Sequence, residues 1–372
     1  MRNRVLIVSI YILLVTFVLA FNLKSWVGPY TALNNPFVPQ AQAFAPTFVA
    51  PNLLDPQLSK SWVLEDQKNL NIQDAWKLSQ GDKRIIVAVI DTGIDLTHPD
   101  LKKNLWQNTK EIPGNGIDDD GNGYIDDIHG WNFVANNNRP EDDHGHGTHV
   151  AGIIGAVKGN GIGISGICPN VSLMILKYYA QSAPGSDNLK HTIQAFKYAV
   201  QNGAHIINYS GGGAEFSSAE HAVIEEARKK GILVIAAAGN ERQNADTHAY
   251  YPASYDLENI ISVAAITQDQ NLVDSSNYGP ERIDVAAPGH QVYSTLPGGK
   301  YGTMTGTSQA TAVVTGVAAL ALSKFGDLPA TQIKSVILKN ILPVKQLKNR
   351  VKTGGIVNAD QVLKDLSKQN VN

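Results

Sequence analysis

Cysteine is almost missing from this 372-residue chain, which carries a single one, Cys168. One cysteine can form neither an intrachain disulfide nor a multi-cysteine zinc site, whichever compartment the protein occupies. A dominant charge is lacking too, since 31 Lys and Arg stand against 33 Asp and Glu, a formal net charge of −2. That leaves no global pull toward nucleic acid or an acidic membrane surface, and no nucleic-acid partner is expected. No repeat of about 20–50 residues is found, which argues against a solenoid. What is present, 43% hydrophobic residues, suits one large α/β domain or two to three small ones with ample core.

The long apolar run is confined to the start. Arg2 and Arg4 precede an uncharged stretch over 5–21, as in an export signal or a membrane anchor. A helix at ~1.5 Å per residue would reach about 25 Å over this run, short of a ~30 Å hydrocarbon core. The best small-x-small cleavage match, Ala41-Gln42-Ala43, lies well downstream of it. Residues 1–21 are therefore read as a signal peptide or an uncleaved anchor, with 5–21 the possible membrane tether of an exported protein. A buried core helix is disfavoured by the two arginines. Residues 22–54, with Pro29, Pro36, Pro39, Pro46 and Pro51 and little periodicity, read as an extended linker.

Beyond the linker, apolar β-rich runs alternate with helical patterns. Strands are predicted at 85–90, 173–178, 205–209, 232–237, 260–265 and 283–286, and helices at 148–157, 188–202, 217–230, 308–325 and 331–339. Near-continuous apolar strands separated by helices predict an α/β fold with a mostly parallel central sheet flanked by helices.

Three segments could carry chemistry. In IIVAVIDTGID, an apolar strand ends at Asp91, where functional groups gather in doubly wound sheets. Asp91 could instead cap the next turn. Asp-Thr-Gly also occurs in aspartic proteases, but those need two such carboxylates, and the chain has no second copy. In DDHGHGTHVAG, glycines surround His144, His146 and His149 before a helical run, leaving an imidazole accessible at a helix start. Zinc on these histidines competes with that reading, although the His-Glu-x-x-His pattern is absent. His149 reads as a structural histidine. In YGTMTGTSQATAVVTG, Ser308 opens a helix apolar on nearly all sides, whose N–H groups suit a developing oxyanion. An N-cap serine is the bland alternative. Taken together, a hydroxyl, an imidazole to accept its proton and a carboxylate to orient the imidazole occur in the order Asp, His, Ser.

With VIDTGID around Asp91, HGTHVAG from His146, AAAGN ending at Asn240 and GTSQA around Ser308, the chain resembles the subtilisin-like serine proteases (subtilases). The resemblance runs over residues 55–370 and implies the subtilisin-like three-layer fold and a serine endopeptidase acting on protein or peptide substrates. It implies Ser308 as nucleophile, His146 as general base and acid, Asp91 as its orienter, and Asn240 as side-chain oxyanion donor. Ser210, Gly211 and Gly212, with Ala237 and Gly239, match the substrate-binding edges, and Tyr250 falls where the family often has a pocket-lining glycine. Gln309 replaces the family's usual methionine after the nucleophile, and Thr311-Ala312-Val313 replaces its Ser-Pro-His. The stretch before Asp55 is shorter than a family propeptide, so folding without one is expected, as is a monomer.

Metal binding is expected in GNGIDDDGNGYIDD. Asp118, Asp120, Asn122 and Tyr124 fall at alternate positions, as in the first half of an EF-hand loop, with Asp126 or Asp127 to supply the missing carboxylate. Oxygen donors of this kind suit structural calcium, whereas a solvated acidic loop is the plain alternative. The resemblance alone implies a second calcium site from Asp100 and the loop with Val157, Asn160, Ile162 and Ile164. A different class of function, a catalytically inactive calcium-dependent peptide-binding module at the membrane, fits the same motifs, and a zinc-dependent hydrolase ranks third.

Overall fold

The strand β1, Gly81–Asp91, sends its side chains to two sides. Val87 and Val89 enter one core, and Ala88 and Ile90 enter another. That two-residue period across two buried faces explains why the run reads as almost continuously apolar. The computed structural model describes residues 54–65, 70–181, 185–326 and 328–369, all within the compact unit Asn52–Asn372. The leader, and the linker up to residue 53, lie outside the described residues.

The remaining strands are β2 (Gly130–Asn132), β3 (Asn170–Lys177), β4 (Ile206–Tyr209), β5 (Leu233–Ala237), β6 (Ile260–Ile266), β7 (Val285–Pro288), β8 (Val292–Leu296), β9 (Lys300–Met304), β10 (Ile341–Pro343) and β11 (Gly355–Val357). Nine of the eleven strands, β1 included, form one sheet in the order β10-β11-β7-β6-β5-β4-β1-β3-β2, parallel except between β10 and β11. β8 and β9 pair apart as an antiparallel ribbon. From β1 the chain passes to β3 on one side and then to β4 on the other. This reversal creates a crevice outside the carboxyl ends of the strands, where ligands bind in such sheets.

The helices are α1 (Trp62–Glu65), α2 (Ile72–Leu78), α3 (His146–Gly155), α4 (Gly185–Gln201), α5 (Ser218–Lys229), α6 (Thr307–Phe325), α7 (Ala330–Lys339) and α8 (Ala359–Gln369). Side chains of α2, α3, α6, α7 and α8 join the core with Val87, while α4 and α5 bury Phe196, Ala199, Val223 and Ile224 in the core with Ile90. The three-layer α/β fold is thus the one the sequence predicts. α6 is buried all round from Thr307 to Leu322 because it lies across β1 and β4 to β7. Among the described residues no single helix is long and apolar enough to cross a membrane.

The sequence patterns miss α1, α2, β2, the β8–β9 ribbon, the β10–β11 hairpin and α8, and they start α3 two residues late and α4 three. The short strands carry too few residues for a period to show, and the glycines around His146 hide the first turn of α3.

Candidate active site

Asp91 ends β1 and His146 opens α3, and the two meet because neither Gly93 nor Gly147 has a side chain. A Cβ on Gly147 would lie 2.1 Å from the Gly93 carbonyl oxygen, and Gly93 itself has φ +102°. The His146 Nδ1–H donates to Asp91 Oδ1 at 2.7 Å, and that same oxygen accepts the Thr92 N–H at 2.8 Å. The Asp91 side chain is only 4% exposed, against 24% for His146. Burial works against charge on His146. The charge and hydrogen bond of Asp91, with the charge of Asp142, outweigh it and raise the imidazole above its ordinary pKa.

A second layer of groups, not anticipated from sequence, holds this pair. Asp142 Oδ1 accepts from the Thr92 hydroxyl (2.8 Å) and the Gly145 N–H (2.8 Å). Its Oδ2 accepts from the Thr148 N–H (2.9 Å) and hydroxyl (2.6 Å), which caps the start of α3. Lys177, at the end of β3 and buried, donates to the carbonyls of Thr92 (2.7 Å) and Glu141 (3.1 Å) and to Asp143 Oδ1 (2.7 Å). The sequence signal for Asp142 was its place just before the His-Gly-His run. Lys177 gave none, because an apolar strand ending in lysine usually meets water.

Ser308 is the second residue of α6 and is buried. Its hydroxyl donates to the Ser210 carbonyl at 3.1 Å rather than to His146. Asn240 Oδ1 accepts the Thr307 N–H at 2.9 Å, which fastens the asparagine to the start of α6. Its Nδ2 has no acceptor among the described residues, and neither has the Ser308 N–H, one of the orphan donors of a helix start. Asn277 fixes the turn that carries Asn240. Its Nδ2 donates to the Ala238 carbonyl (2.9 Å), and its Oδ1 accepts from the Glu241 (3.1 Å) and Gln243 (2.8 Å) N–H groups.

The predicted substrate edges converge on Tyr250. A Cβ on Gly212 would lie 2.4 Å from Tyr250 Cε1, and one on Gly239 would lie 3.0 Å from its Cδ2. The ring therefore sits between the segments that follow β4 and β5, beyond Ser210, Gly211 and Ala237. Cys168 is fully buried, which pushes its thiol up to about 12, far from nucleophilic range.

The acidic loop behaves differently from its predicted half EF-hand. Asp118 and Asp120 come together with Glu111, an unanticipated third member, and one oxygen of each lies within 4.8 Å of the others. Asp126 is turned toward Gly114, Asn115 and Gly116, whose N–H groups it accepts. Asp127 is buried and bound to Asn108, Asn122 and Tyr198. Asn122 Oδ1 accepts the Tyr124 N–H, and the Tyr124 ring packs edge-on against Trp131. This is the one cluster of three metal-ligating side chains among the described residues, and it contains no histidine. His149 instead places Nε2 against the Gly302 carbonyl at 3.2 Å.

At the second predicted metal site, Asp100 is enclosed by the expected loop. It accepts from Asn160 Nδ2 (2.6 Å), the Ile164 N–H (2.9 Å) and the Tyr301 hydroxyl (3.0 Å), and its backbone carbonyl accepts the Val157 N–H. The Ile162 N–H bonds Asn160 Oδ1, and Asp55 accepts the N–H groups of Gly159 and Asn160. The loop carries the oxygen groups a hard cation requires, but the Asn160 Nδ2 and the Ile164 N–H face Asp100, and a cation would have to displace the amide of Asn160.

Residues 82–363 match the model of the Subtilase family. Subtilisin-like protease 1 of Plasmodium falciparum (isolate 3D7) is 36% identical over 296 residues, 74% of this chain and 43% of that protein. The Thermophilic serine proteinase of Bacillus sp. (strain AK1) is 36% identical over 300 residues, 78% of this chain and 65% of its own length. The chain thus spans less than two thirds of these relatives. A solved protease structure from Pseudoalteromonas arctica PAMC 21717 superposes with a TM-score of 0.66 at 26% identity, covering 85% of this chain and 99% of that one. With the parallel sheet, the Asp91–His146 pair at its carboxyl edge and this match over most of its length, the chain belongs to the subtilase family.

Proposed function

We propose that the protein is an exported serine endopeptidase acting through Asp91, His146 and Ser308. The observation that most supports this is the 2.7 Å bond from His146 Nδ1–H to buried Asp91, which fixes the tautomer that leaves Nε2 free to accept a proton. When a peptide binds, the Ser308 hydroxyl turns from Ser210 and yields its proton to Nε2 as Oγ bonds the carbonyl carbon. The imidazolium then protonates the leaving amine as the C–N bond breaks. Water, activated by the same imidazole, hydrolyses the acyl-enzyme and restores the Ser308 hydroxyl.

Negative charge on the carbonyl oxygen would be met by the two unpartnered donors, the Ser308 N–H and Asn240 Nδ2. Substrate would add as a strand along Ser210, Gly211 and Gly212 and along Ala237 and Gly239, a mode that relies on backbone pairing and tolerates varied sequences. The Tyr250 ring between them narrows the first side-chain pocket. Glu111, Asp118 and Asp120 form a cluster that suits structural calcium, with Asp100 and Asn160 as a second site. Residues 1–21 would export the protein and release it or tether it to the outer face of a membrane.

A fluorophosphonate probe tests the reading. Labelling of the wild-type protein that disappears in Ser308→Ala is expected. Labelling that persists in Ser308→Ala, or none of folded protein in calcium, would overturn it and leave the peptide-binding module.

A further inference from the structure

Beside the substrate edge lies a cavity of about 460 Å³ whose rim includes Gly212 and Gly213. Those residues follow Ser210, whose carbonyl holds the Ser308 hydroxyl. Gly213 is fixed by two backbone bonds to Tyr251, at 2.9 and 2.7 Å, so the rim does not collapse inward. At ~3.3 Å per residue, a peptide extended past Ser308 along this edge brings a side chain to the cavity mouth within a few residues.

The walls are the rings of Tyr178, Tyr209 and Tyr251, and Glu220 lines the interior. Glu220 is 3% exposed. One of its oxygens accepts the Tyr255 hydroxyl at 2.8 Å, and among the described residues it forms no ion pair. Burial, partly offset by that hydrogen bond, holds its carboxyl above the ordinary range. Glu215, exposed, also lines the cavity, and among the described residues no lysine, arginine or histidine does. A buried carboxylate without a cation is costly, and rings and acid together form a slot whose missing component is positive charge.

From this geometry we infer that the cavity is a specificity pocket for a lysine or arginine side chain of the substrate, with Glu220 as its counter-ion. The aliphatic stem would lie along the tyrosine rings and the charged head would reach Glu220, converting an unpaired buried charge into a pair. The assignment rests on the endopeptidase reading for its role in cleavage, but the charge preference itself belongs to the pocket.

The test uses two sets of peptides that differ only by lysine or norleucine at successive positions before the scissile bond. At one position lysine should exceed norleucine in kcat/KM by on the order of 10²-fold. Glu220→Gln should bring that ratio to near one, and so should Leu189→Arg, which places a cation at an exposed lining position without touching the buried acid. The Ser308→Ala protein gives the same comparison by fluorescence anisotropy as a ratio of Kd values. Loss of turnover and of probe labelling would therefore sink the endopeptidase reading while the pocket's preference stays measurable. Equal use and equal binding of lysine and norleucine at every position would overturn the inference. A preference that survives both Glu220→Gln and Leu189→Arg would do the same.

Discussion

Acid sensitivity should trace largely to His149. The side chain is completely buried, with Nε2 on the Gly302 carbonyl. Burial first of all pulls its pKa from the ordinary 6.5 to about 4. In the unfolded chain the imidazole binds a proton near 6.5, so below that pH the unfolded state takes up protons that the folded state refuses. Stability therefore falls as pH drops from about 6.5 to about 4. At ~1.4 kcal/mol per tenfold change in proton affinity, the full effect is roughly 3 kcal/mol, of which about 2.5 is reached by about pH 4.5. His146 has the opposite sign, since its raised pKa gives stability that is present below the ordinary value and lost as pH rises through the folded one. It is common to both proteins compared and cancels. The assay is urea unfolding in the Ser308→Ala background, which prevents self-digestion, with and without His149→Gln. Wild-type His149 should lose about 2.5 kcal/mol more than His149→Gln between about pH 7.5 and about pH 4.5. Parallel pH dependence of the two proteins would refute the reasoning.

Other outcomes follow from the same geometry. Asn240→Leu should lower kcat by about 10²–10³ with little change in KM, a magnitude that comes from subtilisin itself, and steady-state kinetics on one peptide would check it. Because a general base must be neutral, kcat/KM should rise with pH through a midpoint above the ordinary imidazole value, and Asp91→Asn should move that midpoint down while lowering turnover. Gly147→Ala should cost most of the activity, since its Cβ falls 2.1 Å from the Gly93 carbonyl oxygen and one of the two segments must move. Calcium at about 100 times its Kd should stabilise the fold by roughly 2.7 kcal/mol, read as a rise in Tm that Asp118→Asn together with Asp120→Asn reduces.

The fold was legible where physics is repetitive along the chain. β1, β3 and β5 are buried on both faces and so appear as apolar runs, and α6 is buried all round and so appears as a long apolar helix. The Asp91 position was legible because a strand end and a glycine turn coincide there. Groups that meet only through tertiary folding left no mark. Glu111 reaches Asp118 and Asp120 because the loop doubles back, and Asn277 reaches the Asn240 turn from far along the chain. Glu220 is one of several charged residues on the amphipathic helix α5, and the helical pattern does not single it out. It is buried because Tyr255, from a segment 35 residues away, packs over it and bonds it.

Cys168 has a practical consequence. Its sulfur is sealed behind β1, close enough that a Cβ on Gly81 would come within 2.7 Å of it, and its proton is held to about 12. Ordinary maleimides and disulfide reagents, which need a thiolate they can reach, have nothing to attack in the folded described residues. A cysteine introduced on an exposed loop would therefore be the sole reactive thiol. Dyes or spin labels could be attached one at a time to follow peptide entry, without first rebuilding the protein as a cysteine-free variant.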